Sequence, residues 1–211
     1  MVHPLAPEWL HVPADANDLA PGVWSDSVAR NNAGVLCVGG VPATDLVRDF
    51  GTPLYVIDEA TVRERAWRIR AVFTEAFAAI GTDVSVYYAS KAFLSTEVAR
   101  WMVAAGLRID VASGGELAVA LAAGVSGDRI GLHGNNKSVA EIERAIAARV
   151  GTIVVDSEQE VERVAAAAAT AGLVQRVRLR VNSGVYAHTH EFLATAHGDQ
   201  KFGISLAEAP A

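Results

Sequence analysis

The sequence predicts an α/β fold, part of a (βα)8 TIM-type barrel with about five strand–helix units present. Three observations predict it. Short apolar strands begin near Val84 (VSVYYAS), Arg108 (RIDVAS), Ile130 (IGLHGN), Thr152 (TIVVDS) and Arg176 (RVRLRVN), at intervals of 24, 22, 22 and 24 residues. A helical segment follows each of the first four. At three junctions a serine stands three residues before a glutamate: Ser113 with Glu116, Ser138 with Glu141, and Ser157 with Glu160. That is the S-x-x-E capping box, in which the serine accepts from the first helical turn and the glutamate reaches back to the cap.

Taken in order, residues 1 to about 35 are rich in Pro, Asp, Asn and Ala without a clear period, and read as an extended arm. GVLCVGG and TPLYVID read as short strands, with a turn and short helix over Val41 to Phe50 between them. Asp58 or Thr61 can cap the next helix, which Arg65 to Ile80 continue with apolar residues at helical spacing. Gly124 and Gly172 stand where later helices should stop. Strand, turn, helix and strand at even spacing mean parallel strands with crossover helices. A doubly wound open sheet and a barrel both satisfy this. The open sheet usually carries a nucleotide loop, and neither G-x-G-x-x-G nor G-x-x-x-x-G-K-[ST] occurs. Near-equal units favour the barrel. A barrel needs eight strands in roughly 250 residues, so the chain reads as an incomplete one. Residues 1–57 form an N-terminal arm with strands, and residues 58–211 a partial barrel.

Composition narrows the function. The chain has 211 residues, 51% hydrophobic and 20% charged, enough for a core. Its 18 basic and 24 acidic residues give a net charge of −6, scattered along the chain, which argues against nucleic acid or an anionic membrane surface. The single Cys37 excludes an intrachain disulfide and a multi-cysteine metal site, and fits a reducing compartment. The N-terminus lacks the basic-then-apolar pattern of a signal peptide. The most apolar long run, Val164 to Leu173, is far shorter than the ~20 residues of a membrane span. The expected location is cytoplasmic.

Reactive groups of a barrel sit at the C-terminal ends of its strands. That rule selects Lys91, Asp110, His133, Asp156, and Arg180 or Asn182. Ser85, Tyr87, Ala89 and Lys91 share one strand face, so Lys91 points into the mouth if the valine face packs on helices. A partly desolvated lysine there is a Schiff-base nucleophile; a strand-end lysine extending to solvent is the competing reading. Asp110, between Ile109 and Val111, also faces inward, either to hold Lys91 and orient a bound ring or as a buried ion-pair partner. Ser113-Gly114-Gly115 is explained by its cap rather than as a phosphate cradle. His133 opens HGNNKS and either lines the site or is a hydrogen-bonded structural histidine. Arg180 shares a face with Arg178 and Asn182, and can pair with a phenolate or carboxylate or serve in a structural ion pair. His188, His190 and His197 match no common ligand spacing, so no metal is expected. Their long loop reads as substrate-facing or interfacial.

YYASKAF, RIDVASGGELAVAL, HGNNKS, RLRVN and AHTHEFLATAHGDQKFGIS, in this order and spacing, resemble the diaminopimelate decarboxylase family. That family belongs to the pyridoxal-phosphate enzymes with the alanine-racemase-like barrel. The likeness runs from about residue 51 to 205; DVASGGEL with THEF and KFG narrows it to the diaminopimelate branch. It implies a homodimeric carboxy-lyase that uses pyridoxal 5′-phosphate to convert the amino acid meso-2,6-diaminopimelate to L-lysine. Carried onto this chain, it makes Lys91 the lysine that holds the cofactor covalently, with Asp110, His133 and Arg180 lining the cofactor pocket. His133 stands where relatives often carry an aromatic residue, and Asn182-Ser183 departs from the more usual Asn-Pro, which alters the loop that follows. The likeness further implies that residues 1–57 contribute strands to a second β domain, and that the ring-stacking histidine, the phosphate loop and the acid facing the pyridine nitrogen lie beyond residue 211. On that reading this N-terminal portion is inactive alone. The competing functions are an ornithine, arginine or carboxynorspermidine decarboxylase of the same fold, a racemase, a non-catalytic pyridoxal-phosphate-binding protein, and a scaffold without cofactor.

Overall fold

The computed structural model describes residues 15, 17–20, 22–182, 202–205 and 209. The chain divides into two compact units, residues 1–65 and 66–211.

In the first unit, β1 (Val28–Arg30), β2 (Leu36–Val38) and β3 (Val41–Pro42) form an antiparallel sheet in that order. The Asn31 side chain accepts from the Ala33 and Val35 N–H groups and shapes the first turn. Gly39 and Gly40, both at positive φ, form the two-residue turn between β2 and β3. Helix α1 (Ala43–Phe50) follows, then α2 (Glu59–Ala78), which begins in this unit. Asp58 caps α2, accepting from the Ala60 N–H at 3.1 Å and the Thr61 hydroxyl at 2.5 Å. Two sequence expectations are corrected here. The segment read as an arm contains β1, paired with β2. The segment TPLYVID is not a strand: Leu54 to Ile57 are exposed and join no sheet among the described residues. β-Propensity needs a neighbouring strand to act on, and none of the described residues supplies one here.

The second unit is built on a five-stranded parallel sheet: β4 (Tyr87–Ala89), β5 (Arg108–Val111), β6 (Ile130–Leu132), β7 (Thr152–Val155) and β8 (Val177–Leu179). Spatial order follows chain order without reversal. A doubly wound sheet reverses at a switch point, so this is the arc of a barrel. Helices α3 (Thr96–Ala104), α4 (Gly114–Ala122), α5 (Val139–Ala147) and α6 (Glu158–Ala171) connect successive strands. Ile109, Val111, Ile130, Leu132, Ile153 and Val155 lie on one sheet face and are at most 1% exposed. With Leu117, Ile142, Ile146 and Val164 of the helices they make the core. The register sets Ala89 beside Asp110, Asp110 beside Gly131, and Gly131 beside Thr152, all on the opposite face. The first strand is shorter than its apolar run, though the Val86 carbonyl still accepts from the Arg108 N–H. The RVRLRVN run divides into β8 and β9 (Val181–Asn182), and β9 pairs in parallel with β10 (Ile204–Ser205). The apolar residues Trp67, Val72 and Phe73 of α2 remain exposed. No helix among the described residues is long and apolar enough to cross a membrane.

All three predicted serine caps form, and Ser95 adds a fourth at α3. The glutamates do something the local motif does not show. Only Glu141 closes its own box, accepting from the Ser138 N–H at 2.9 Å; its other oxygen takes the Gly114 N–H at the start of α4. Glu116 instead accepts from the Ala112 N–H at 2.7 Å and from the Ser90 hydroxyl beyond β4. Glu160 accepts from the Asp156 N–H at 2.9 Å, and from both the N–H and the ammonium of Lys137 at 3.1 Å. Each glutamate thus ties its own helix to the preceding unit. Lys137 is 4% exposed and also donates to the carbonyls of Gly134 and Val154, so its three N–H groups are all used.

Two outcomes follow from this wiring. Lys137→Met leaves the Glu160 carboxylate buried without its counter-ion and is expected to cost about 3–5 kcal/mol. The double variant Lys137→Met with Glu160→Leu should recover part of that loss in denaturant unfolding. For Glu141, the Ser138 N–H first, then the Ser138 hydroxyl and the Gly114 N–H, hold the carboxyl below its ordinary value of 4.5. The stabilisation is therefore fully present above 4.5 and disappears as pH falls through the lower folded value. Glu141→Gln should lower the unfolding free energy by ~1 kcal/mol at neutral pH, and the gap between variant and parent should close in acid titrations monitored by circular dichroism.

Candidate cofactor cleft

The side chains gathered at the C-terminal ends of the strands line a cleft of about 690 Å³. Lys91 reaches it from a single 3-10 turn, Ser90–Ala92, directly after β4. The turn is held from both sides. Ser90 is 2% exposed, and its hydroxyl contacts the Asp110 carbonyl at 2.8 Å and the Glu116 carboxylate at 2.5 Å. The Tyr88 hydroxyl donates to the Phe93 carbonyl at 2.5 Å, and burial pushes this phenol above its usual range.

Asp110 and His133 come from the neighbouring tips of β5 and β6, and meet through Asp110 Oδ1 and His133 Nδ1. A carboxylate only accepts, so Nδ1 carries the proton and Nε2 is the nitrogen left for a ligand. The His133 N–H donates to the Val111 carbonyl at 2.7 Å, which anchors the residue at the end of the ladder. Arg180 follows β8 and also lines the cleft, with its guanidinium 4.5 Å from the centre of the Phe202 ring. Lys91, Asp110, His133 and Arg180, the four residues that the family resemblance assigns to the cofactor pocket, therefore share one cleft.

The other candidates fall elsewhere. Asp156 is buried below the cleft, with one oxygen 3.6 Å from Arg180 Nη1 and the other accepting from the Gly203 N–H at 3.0 Å. Asn182 belongs to β9, beside Ser205. His188, His190 and His197 lie outside the described residues. Among the described residues no group of three or more His, Cys, Asp or Glu could hold a metal ion.

One expectation is corrected. Lys91 is exposed rather than partly desolvated. It stands on a turn beyond the strand, and the five-stranded arc sets no wall opposite it among the described residues. Sequence reasoning also missed three neighbours. Arg178 lines the cleft beside Arg180, with its guanidinium 5.6 Å from the Tyr87 ring centre. Phe202 belongs to the KFGIS segment, whose distance along the chain hides its return to β8 and β9. Gly134 lines the cleft while Lys137 holds its carbonyl from below; in HGNNKS that lysine looks like one more solvated residue.

The donor set is cationic: Lys91, Arg178 and Arg180 against one carboxylate, Asp110. It fits an anionic, aldehyde-bearing group. The amine can bond a carbonyl carbon, the fixed guanidinium charges can face phosphate or phenolate oxygens, and Ala112 and Gly134 keep the wall thin.

The chain is similar to several known proteins. Over 193 residues the chain is 53% identical to the diaminopimelate decarboxylase of Mycobacterium tuberculosis, covering 92% of this chain and 42% of that protein. The Mycobacterium leprae enzyme of the same name is 51% identical over 209 residues, covering 99% and 43%. The chain thus spans well under half the length of these relatives. Among solved structures, diaminopimelate decarboxylase from M. jannaschii superimposes with a TM-score of 0.74 at 32% identity, over 87% of this chain and 42% of that one. The Helicobacter pylori enzyme complexed with L-lysine gives 0.71 at 29% identity, over 79% and 41%. A lysine/ornithine decarboxylase of Vibrio vulnificus complexed with cadaverine gives 0.53 at 27%, over 64% and 35%. Residues 61–211 match the pyridoxal-binding domain of the pyridoxal-dependent decarboxylases, and the chain belongs to that family.

Proposed function

We propose that this chain supplies the pyridoxal 5′-phosphate-binding part of a diaminopimelate decarboxylase, a carboxy-lyase acting on meso-2,6-diaminopimelate to give L-lysine. The observation that carries the reading is the convergence of Lys91, Asp110, His133 and Arg180 on one cationic cleft at the strand tips. The names of relatives at 53% and 51% identity support it. So does the likeness to an enzyme whose structure holds L-lysine. Action as a cytoplasmic homodimer, with β1 to β3 contributing to a second β domain, belongs to the same proposal.

When bound, the cofactor supplies an electron sink for the carbon from which carbon dioxide leaves. The chain's own residues provide attachment, orientation and charge. Lys91 would hold the cofactor, offering an amine whose neutral form bonds a carbonyl carbon. Asp110 accepts from His133 Nδ1–H and so fixes the tautomer and tilt of the imidazole. Arg180 brings a permanent positive charge, stacked on Phe202 at 4.5 Å, to the anionic edge of the ligand. The buried Ser90 and the Tyr88 hydroxyl hold the Lys91 turn, which limits the ordering that attachment would otherwise require.

A second reading, decarboxylation of ornithine or a related amino acid, is favoured by the Vibrio vulnificus likeness. Two experiments decide. Pyridoxal phosphate followed by borohydride should leave one reduced adduct per chain by intact mass, and none in Lys91→Ala or Lys91→Arg. An adduct persisting at parental stoichiometry in either variant removes Lys91 from the reading. In the longest polypeptide that carries this sequence, carbon dioxide release should be fastest from meso-diaminopimelate and at least about 100-fold slower from ornithine or arginine. The reverse order would establish the second reading instead.

A further inference from the structure

We infer that Asp156, which lines no part of the cleft, is a positioning residue that sets Arg180 for ligand binding. Its side chain is 4% exposed, and its Oδ1 is the one buried side-chain polar atom among the described residues without a hydrogen-bond partner. That oxygen lies 3.6 Å from Arg180 Nη1, close enough for an ion pair and too far for a hydrogen bond. A buried carboxylate oxygen with no donor is costly unless a neighbouring charge compensates it, and Arg180 is the cation that does so. The rest of Asp156 cannot drift. Its N–H is held by Glu160 at 2.9 Å, and its Oδ2 accepts from the Gly203 N–H at 3.0 Å.

Gly203 closes the arrangement. It sits at φ +81°, and a Cβ there would lie 3.0 Å from the Arg180 carbonyl and 3.2 Å from the Asn182 nitrogen. The Ile204 N–H donates to that same Arg180 carbonyl at 2.9 Å. Arg180 is thus held at its backbone by Ile204, over its guanidinium face by Phe202, and at one guanidinium edge by the charge of Asp156. Its side chain remains 31% exposed toward the cleft, which leaves other N–H groups for an anionic ligand.

The inference uses the cofactor reading for one of its two tests and stands apart from it in the other. In the longest polypeptide that carries this sequence, Asp156→Asn keeps an acceptor for the Gly203 N–H and removes only the charge. Titrated with pyridoxal phosphate, it should bind about tenfold more weakly than the parent, and so should Arg180→Gln. The double variant should be no weaker than Arg180→Gln alone, because Asp156 acts through Arg180. Additive losses would overturn the inference. The second test needs no cofactor: in 15N-arginine NMR the Arg180 Nη signal should shift in Asp156→Asn relative to the parent, because Asp156 faces Nη1. An unchanged signal would also overturn it. If the parent itself fails to bind pyridoxal phosphate, the cofactor reading falls and the Arg180 signal still decides this one. Should Asp156→Asn not fold, Asp156→Glu is the second variant: it retains the charge and should stay within a factor of about three of the parent, whereas a loss as large as that of Arg180→Gln would show that the charge is not the agent.

Discussion

The glutamate three residues into α4, α5 and α6 is the constraint on which the cleft depends. Where a parallel strand turns into a helix, backbone N–H groups at the turn and in the first helical turn have no carbonyl to pair with. A serine cap satisfies one of them. Glu116, Glu141 and Glu160 satisfy others, and each also reaches the preceding strand–helix unit: the Ser90 hydroxyl, the Gly114 N–H, and the N–H and ammonium of Lys137. The negative charges also stand at the positive ends of helix dipoles, so one side chain answers two local needs. Strand tips wired in this way move as a row, and the side chains on them keep their spacing.

The wiring reaches its most buried point at Lys137 and Glu160, both 3% exposed at the side chain. Burying two opposite charges often stabilises less than packing apolar residues would. What this pair does is local. Lys137 gathers the carbonyls of Gly134 and Val154, one from the loop after β6 and one from β7, and Glu160 gathers the N–H groups of Lys137 and Asp156. An apolar pair of equal volume would leave these backbone groups unsatisfied, and Gly134 is part of the cleft wall. Geometry, more than net stability, is the physical reason to keep ions there.

How much of this was legible in the sequence follows from the range of each interaction. Strand spacing, three of the four serine caps and the inward alternation of Asp110 are short-range properties, and the first and last place the cleft at the tips of the strands. The three S-x-x-E boxes look alike in sequence, yet only Glu141 closes on its own cap. Which acceptor a glutamate chooses depends on what the previous unit brings within reach, and local pattern carries no such information. The same limit explains β1 inside a segment read as an arm, whose partner β2 lies past a turn made by Asn31. It explains TPLYVID, apolar enough for a strand but without a partner strand among the described residues, and Phe202, brought to Arg180 by the pairing of β10 with β9. Exposure of Lys91 belongs here too, because desolvation is set by what stands across from a residue and not by the run that carries it.

Arg178 and Arg180 show how the fold separates two cations that the sequence presents as equals. Both line the cleft, two positions apart on one face. Arg178 lies against the ring of Tyr87, which Arg108, its register partner on β5, approaches at 5.9 Å. The ring attracts both guanidinium groups through its π face and so offsets part of their mutual repulsion. Arg180 stands one level higher, against Phe202 and above a buried carboxylate. A cation with its counter-charge underneath can face an anion in front without leaving that carboxylate uncompensated, and a charged ligand then gains a fixed partner at small reorganisation cost. The difference between the two arginines is thus set by what lies behind each: Arg178 has an aromatic ring, and Arg180 has a ring and a buried counter-charge.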